Sequence, residues 1–206
     1  DVITEYYKKE FPNLQFKTIL NVFPKNNHNN FIDSETDQLK LFWFSQTIGL
    51  GRGLEYVLKA CAKVVPQPSI TLLGNCSDQV KEKIIELVEE VGYNQNNLTF
   101  KLVVPESEIP IIASEHHIGL CTEDPMTLNR QICLTNKIFT YMLGKNALLM
   151  SNTTAQCKFF EKNIGAGQLI NLYNIIEITE YVQNYQDDRE LLENHRNESL
   201  RLASET

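Results

Sequence analysis

The sequence has no apolar run near the roughly 20 residues that span a bilayer, so no transmembrane helix is expected from it. It has no C-x-x-C pair. Its five cysteines, Cys61, Cys76, Cys121, Cys133 and Cys157, are odd in number and lie mostly in apolar stretches. That pattern points to reduced thiols rather than to a zinc site or a disulfide framework. Histidine is scarce, with His116-His117 the one adjacent pair among four. Neighbours at a helix end do not face one ligand, so no metal and no cofactor are expected. Basic charge is short as well. Against 26 Asp and Glu there are 19 Lys and Arg, a net charge of −7, and a broad nucleic-acid surface wants the opposite balance. No signal peptide is visible, because Asp1 leads straight into an amphipathic segment. The expectation is a cytoplasmic protein, or a piece of a longer chain.

What is present is alternation. Residues 2–11 read as a helix and 16–23 as a strand, followed by "PKNNHNNFIDSETDQ" (24–38), polar and without apolar period, a linker. From there short apolar runs at 39–45, 69–74, 98–104, 118–121, 147–151 and 167–171 read as strands. Between them 52–65, 77–92, 106–116 and 135–143 keep helical spacing, and a further helix precedes the last strand. Ser77 is placed to cap one helix and Gly92 to stop it, while Gly144 is placed to close another. Residues 122–134 read as a long loop, and two helices at 174–186 and 187–205 finish the chain. Strands apolar throughout and separated by helices imply a parallel sheet covered on both faces. The fold class is therefore α/β: a doubly wound, Rossmann-like parallel sheet of about six strands. Ligands of such sheets bind beyond the carboxyl ends of the strands, which points to the loops at 45–52, 74–77, 104–106, 121–136 and 151–154.

Two stretches carry chemistry. In "SQTIGLGRGLE" (45–55), a strand runs into a helix through Gly49, Gly51 and Gly53, with Arg52 among them. Such a turn lets backbone N–H groups approach an anion, and a guanidinium suits a phosphate. A plain strand–helix turn with a solvated arginine is the competing reading. The order G-x-G-x-x-G is not met, and no acid follows the second strand, where Leu73 leads to Gly74-Asn75; hydride transfer is disfavoured. In the second stretch Glu123 and Asp124 could accept from hydroxyls, and Asn129 and Arg130 precede Lys137. Each acid could equally be a solvated loop residue, and Asn136 reads first as a helix cap. Lys137 poses a question. A cation in the first turn opposes the helix dipole, and Arg130 adds to it. Two cations near one helix start call for an anion.

"SQTIGLGRGLEYVLKA" and "NRQICLTNKIFTYMLGKNALLMSNT" together resemble the C-terminal, donor-binding half of GT-B glycosyltransferases, closest to retaining enzymes with N-K-[IL]-F-E-Y-M and S-Q-T-I-G-x-x-R-G-L-E. The resemblance covers 39–205 and implies two parts: 1–36, the tail of an N-terminal acceptor domain with its linker, and 37–206, a nucleotide-sugar-binding domain. It implies a nucleotide diphosphate sugar as partner. Arg52, Gly51, Thr47, Lys137 and Arg130 would meet the diphosphate. Thr47 stands where many relatives carry a second arginine. Glu123, Asn129, Asn136, Ile138 and Thr140 would meet the sugar or ribose, and Val103, Val104 and Glu106 the base. The family's E-x7-E pair is replaced, its second member by Thr140 and its first near Ile132. Such enzymes generally work without a metal. The catalytic residue and the acceptor are not assigned, and they would belong mostly to the missing N-terminal domain, as would any peripheral membrane association. A nucleotide-sugar epimerase of the same fold and a non-catalytic nucleotide-binding or interaction module are the alternatives.

Overall fold

The computed structural model describes residues 1–19, 30–33 and 36–205. Six strands form one parallel sheet: β1 (Lys40–Thr47), β2 (Ser69–Asn75), β3 (Leu98–Lys101), β4 (Ile118–Cys121), β5 (Ala147–Ser151) and β6 (Gly167–Ile170), in the order β3-β2-β1-β4-β5-β6. The chain winds outward from β1 through β2 to β3, then returns to start the other half at β4. The order reverses between β1 and β4, and a crevice opens there at the carboxyl ends.

Alternation along β1 builds the two cores. Leu39, Leu41 and Trp43 point to one face and pack with α2 (Leu54–Cys61), α3 (Asp78–Glu90) and α8 (Ile175–Asp187). Phe42 and Phe44 point to the other face. They meet residues of α4 (Ile109–Ser114), α6 (Lys137–Leu143), α7 (Thr154–Lys162) and α9 (Arg189–Glu205). Both faces are buried there, which is why β1 runs apolar from Leu41 to Phe44 and β5 from Ala147 to Met150. Two further helices, α1 (Val2–Glu10) and α5 (Leu128–Ile132), lie outside these layers.

The sheet order and the two-sided cover agree with the expected α/β fold. Ser77 caps α3 by accepting from Val80 N, and Gly92 follows that helix in the left-handed region. Other expectations need correction. The helix expected at 52–65 starts only at Leu54, because Gly53 at φ 85° precedes it, and it stops at Cys61, short of Pro66. The strand expected at 98–104 ends at Lys101, the last residue in register with β2 through Leu73, and Leu102 and Val103 are exposed. The 106–116 helix is a 3-10 turn (Glu106–Glu108) followed by α4. The loop expected at 122–134 contains α5, capped by Thr127, whose side chain accepts from Arg130 N. Gly144 does close α6, but not by a left-handed backbone. Its φ is −79°, and Lys145 takes the positive φ instead. Glycine is needed there because a Cβ would stand 2.7 Å from that of Ala113. The strand expected at 16–23 is absent from 16–19, and its remainder lies outside the described residues, as does much of the linker.

Candidate functional site

The crevice is built first by the turn from β1 into α2. Gly51 and Gly53 hold φ of 74° and 85°, a region side chains rarely adopt. At Gly53 a Cβ would also stand 2.9 Å from Thr122 Cβ and 3.0 Å from Leu172 Cδ1. The turn is thereby drawn against the ends of β4 and β6. Three side chains fix it. The Glu55 carboxylate accepts from Gly51 N, and Arg130 donates through Nη1 to Gly51 O at 2.7 Å. Thr122 Oγ1 donates to Arg52 O at 3.4 Å.

Arg52 itself reaches back along β1, and its Nη1 donates to Ser45 Oγ at 2.7 Å. That is its side-chain hydrogen bond among the described residues, and most of the guanidinium's five donors remain for a ligand. Gly51, Arg52 and Arg130 therefore meet at one turn. Thr47 is exposed at the end of β1, paired with Asn75 in the sheet. No hydrogen bond joins it to Arg52 among the described residues.

Lys137 corrects the expectation of a cation waiting at an open helix end. Its Nζ donates to Glu123 Oε1 at 2.9 Å, with side chains only 10% and 12% exposed. It also lies 4.6 Å from the centre of the Trp43 ring, within cation–π range. The anion that Lys137 calls for is thus already supplied by Glu123. The Glu123 backbone is held in turn, its N–H donating to Ser151 Oγ at 2.9 Å.

A cavity of about 410 Å³ runs from Lys137 and Asn136 past Phe44, Ser45 and Gln46 to Val103, Val104 and Glu106. The residues expected to meet a base thus share one hollow with the start of α6, and Ser45 links that hollow to Arg52. Asn136 lines it but makes no side-chain cap, contrary to the capping expectation, because its backbone is already helical at φ −61° and ψ −20°. Ile138 and Thr140 are fully buried along α6, and neither is among the residues that line the cavity. Thr140 Oγ1 donates to Asn136 O at 3.4 Å. Asn129 is exposed on α5. Sequence reasoning did not single out Ser45, Gln46, Phe44 or Trp43. The rule that ligands sit at strand carboxyl ends reaches Ser45 and Gln46, whereas Trp43 reads only as core.

Elsewhere the polar groups are structural. His116 and His117 point apart, His116 to Thr71 and Ile112, His117 to Lys40 and the chain before β1. Burial pushes both imidazoles down to about 4. All five cysteines are free thiols, and burial pushes those of Cys61 and Cys121 up. Among the described residues no cluster of three His, Cys, Asp or Glu is placed to hold a metal ion, and no helix is long and apolar enough to cross a membrane.

Neither a family model nor a curated protein matches the sequence. Solved structures do. A mutant of S. aureus TarM, in complex with fondaparinux, α-GlcNAc-glycerol and UDP, superposes with TM-score 0.76 at 15% identity, over 98% of this chain and 39% of that one. The C-terminal domain of the glycosyl transferase group 1 family protein LpcC from Francisella tularensis gives TM-score 0.64 at 15% identity, over 82% of this chain and 85% of that one. Anabaena HepE, in complex with UDP and glucose, gives 0.66 at 15% identity, over 82% and 44%. The chain thus spans about two fifths of TarM and HepE but most of the isolated LpcC domain. At such identity the likeness is one of architecture: this chain has the fold of the C-terminal, Rossmann-like half of GT-B glycosyltransferases.

Proposed function

We propose that this chain is the donor-binding part of a glycosyltransferase. It takes a nucleoside diphosphate sugar in the crevice between β1 and β4, and the whole enzyme transfers the sugar to an acceptor hydroxyl. The observation that carries this is the arrangement of Arg52. Its guanidinium is anchored at one corner by Ser45, which also lines the 410 Å³ cavity. A base in that cavity against Val103, Val104 and Glu106 would set its diphosphate toward Arg52, the Gly51 turn and Arg130. The UDP bound in TarM and HepE makes uracil the base to test first.

In this reading Arg52 and Arg130 stabilise the charge that develops on the leaving diphosphate, and the fixed turn holds it in place. Lys137 acts from the wall of the cavity, its position set by Glu123 and Trp43. Glu123, accepting from Lys137 through one oxygen, keeps its second oxygen for a ribose or sugar hydroxyl, and Asn136, on the cavity wall, would meet the same group. Asn129 stands further out, toward the sugar. Residues 1–36 belong with an acceptor domain, and 37–206 form the donor domain. The enzyme is cytoplasmic and works without a metal. The solved structures reported above are transferases, which does not favour the epimerase alternative.

The test is thermal unfolding of this chain with UDP, UMP, uridine, GDP and ADP. A rise in melting temperature with UDP that exceeds those with UMP and uridine supports the reading. No rise with any diphosphate would leave only an interaction module.

A further inference from the structure

At the end of the sheet away from the crevice, the chain preceding β1 is held by its backbone. Ile32 N–H donates to Ser114 O at 2.9 Å, and Ile32 O accepts from Arg196 Nη2 at 2.7 Å. Thr36 O accepts from Arg189 Nη2 at 3.0 Å, and Asp37 O from Gln186 Nε2 at 3.1 Å. Between these clamps lies His117, completely buried. Its Nδ1 is 2.9 Å from Lys40 N, the first residue of β1. Its Nε2 is 3.0 Å from Asp33 O and 3.1 Å from Thr36 Oγ1.

These contacts fix the protonation state. A backbone N–H can only donate, so Nδ1 is the acceptor and the single proton of the neutral ring sits on Nε2. That proton serves Asp33 O and Thr36 Oγ1. A second proton on Nδ1 would face the Lys40 N–H, donor against donor. The ring would have to turn, and turning takes Nε2 away from Asp33 and Thr36. His116 is built differently. Its Nδ1 meets Ile112 O at 2.8 Å and its Nε2 meets Thr71 Oγ1 at 2.9 Å. There the hydroxyl can rotate from donor to acceptor, so protonation need not break the contact.

We propose that His117 is a proton-operated latch: the neutral ring ties Asp33 and Thr36 to the start of β1, and protonation releases both while the sheet stays folded. The charges around the ring oppose that proton. Arg189 and Arg196 face it from α9 and Lys40 from β1, while Glu193 on α9 pairs with Arg196. Burial acts in the same direction and pushes the ring down to about 4. The latch therefore stays closed near neutrality and opens in acid. It rests on the fold and not on the proposed function, so nucleotide binding and the latch can fail separately.

Amide hydrogen exchange of this chain between pH 7 and pH 4, corrected for the intrinsic pH dependence of exchange, tests it. Protection of residues 30–40 should fall at least tenfold further than protection of 69–75. His116→Asn should keep that behaviour, and His117→Gln should make the ratio of the two segments constant with pH. Loss of both segments together in the parent, or a parental profile in His117→Gln, would overturn the latch. If His117→Gln does not fold, ring nitrogen shifts of the parent decide. A proton on Nε2 at pH 7, with a titration midpoint matching the loss of protection, supports the latch. A proton on Nδ1 overturns it.

Discussion

The two ends of the sheet use arginine in opposite ways. At the latch end Arg196 is 1% exposed and spends three donors, on Ile32 O, Lys145 O and Glu193 Oε2. At the crevice end, among the described residues, Arg52 has one such bond, to Ser45, and Arg130 has one side-chain bond, to Gly51 O. Glu55 Oε2, beside the same turn, is buried without a hydrogen-bond partner among the described residues. A saturated guanidinium holds a fold together. An anchored guanidinium with donors to spare is prepared to bind. Lys137 stands between these cases, because it lines the cavity yet is paired with Glu123.

Acid should break the comparison most strongly, because it attacks one end only. His116 and His117 are held near 4 against an ordinary value of 6.5. Between those values the unfolded chain binds more protons than the folded one. Stability is therefore complete above pH 6.5 and is lost as pH falls toward 4. Each excess proton costs about 1.4 kcal/mol per pH unit, so two rings together remove several kcal/mol. Urea unfolding at pH 7, 5.5 and 4.5 measures this, and a flat profile would mean that neither ring is held neutral. Next in size is Arg196→Ala, which strips partners from Glu193 and two carbonyls. It should cost about 3 kcal/mol, a fall in melting temperature of roughly 10 °C for a domain of this length. UDP affinity, by calorimetry, should not change. Lys137→Ala should come third. It leaves the Glu123 carboxylate largely buried and alone, for about 2 kcal/mol of stability, and it should weaken UDP binding as well. An empty domain as stable as the parent would show that the ion pair contributes nothing.

Much of the fold was legible because it rests on periodicity. The apolar runs of β1, β2, β4 and β5 and the spacing of α2 and α3 follow from burial on both faces of a sheet. Boundaries set by tertiary contacts were not. The early end of β3 depends on where β2 stops pairing with it, and α5 is too short for its period to show, although Thr127 marks its start. Within the site, Gly51 and Arg52 could be read as glycine freedom and charge at a strand end, whereas Arg130 reads only as a cation beside Lys137, and its bond to Gly51 O comes from tertiary packing. The burial of Thr140 and the pairing of Lys137 with Glu123 could not be read. The first follows from the burial of α6 along its whole length, and the second from a partner 14 residues away. His117 was legible only as half of a pair that shares no ligand. Its role comes from a backbone N–H in β1 and a carbonyl and a hydroxyl before it, which no local pattern reveals.

The last and smallest structural perturbation is the most direct test of the function. Arg52→Ala removes a half-buried side chain with one hydrogen bond, and the melting temperature of the empty domain should stay within a degree or two of the parent. Charge-assisted hydrogen bonds to a ligand are worth about 1.5–3 kcal/mol, and about 1.4 kcal/mol is tenfold in affinity. Titration calorimetry of parent and Arg52→Ala with UDP and with uridine reads both halves of the claim. UDP binding should weaken about tenfold or more and uridine binding should stay unchanged. Equal losses for the two ligands, or UDP binding untouched by the substitution, would contradict the claim.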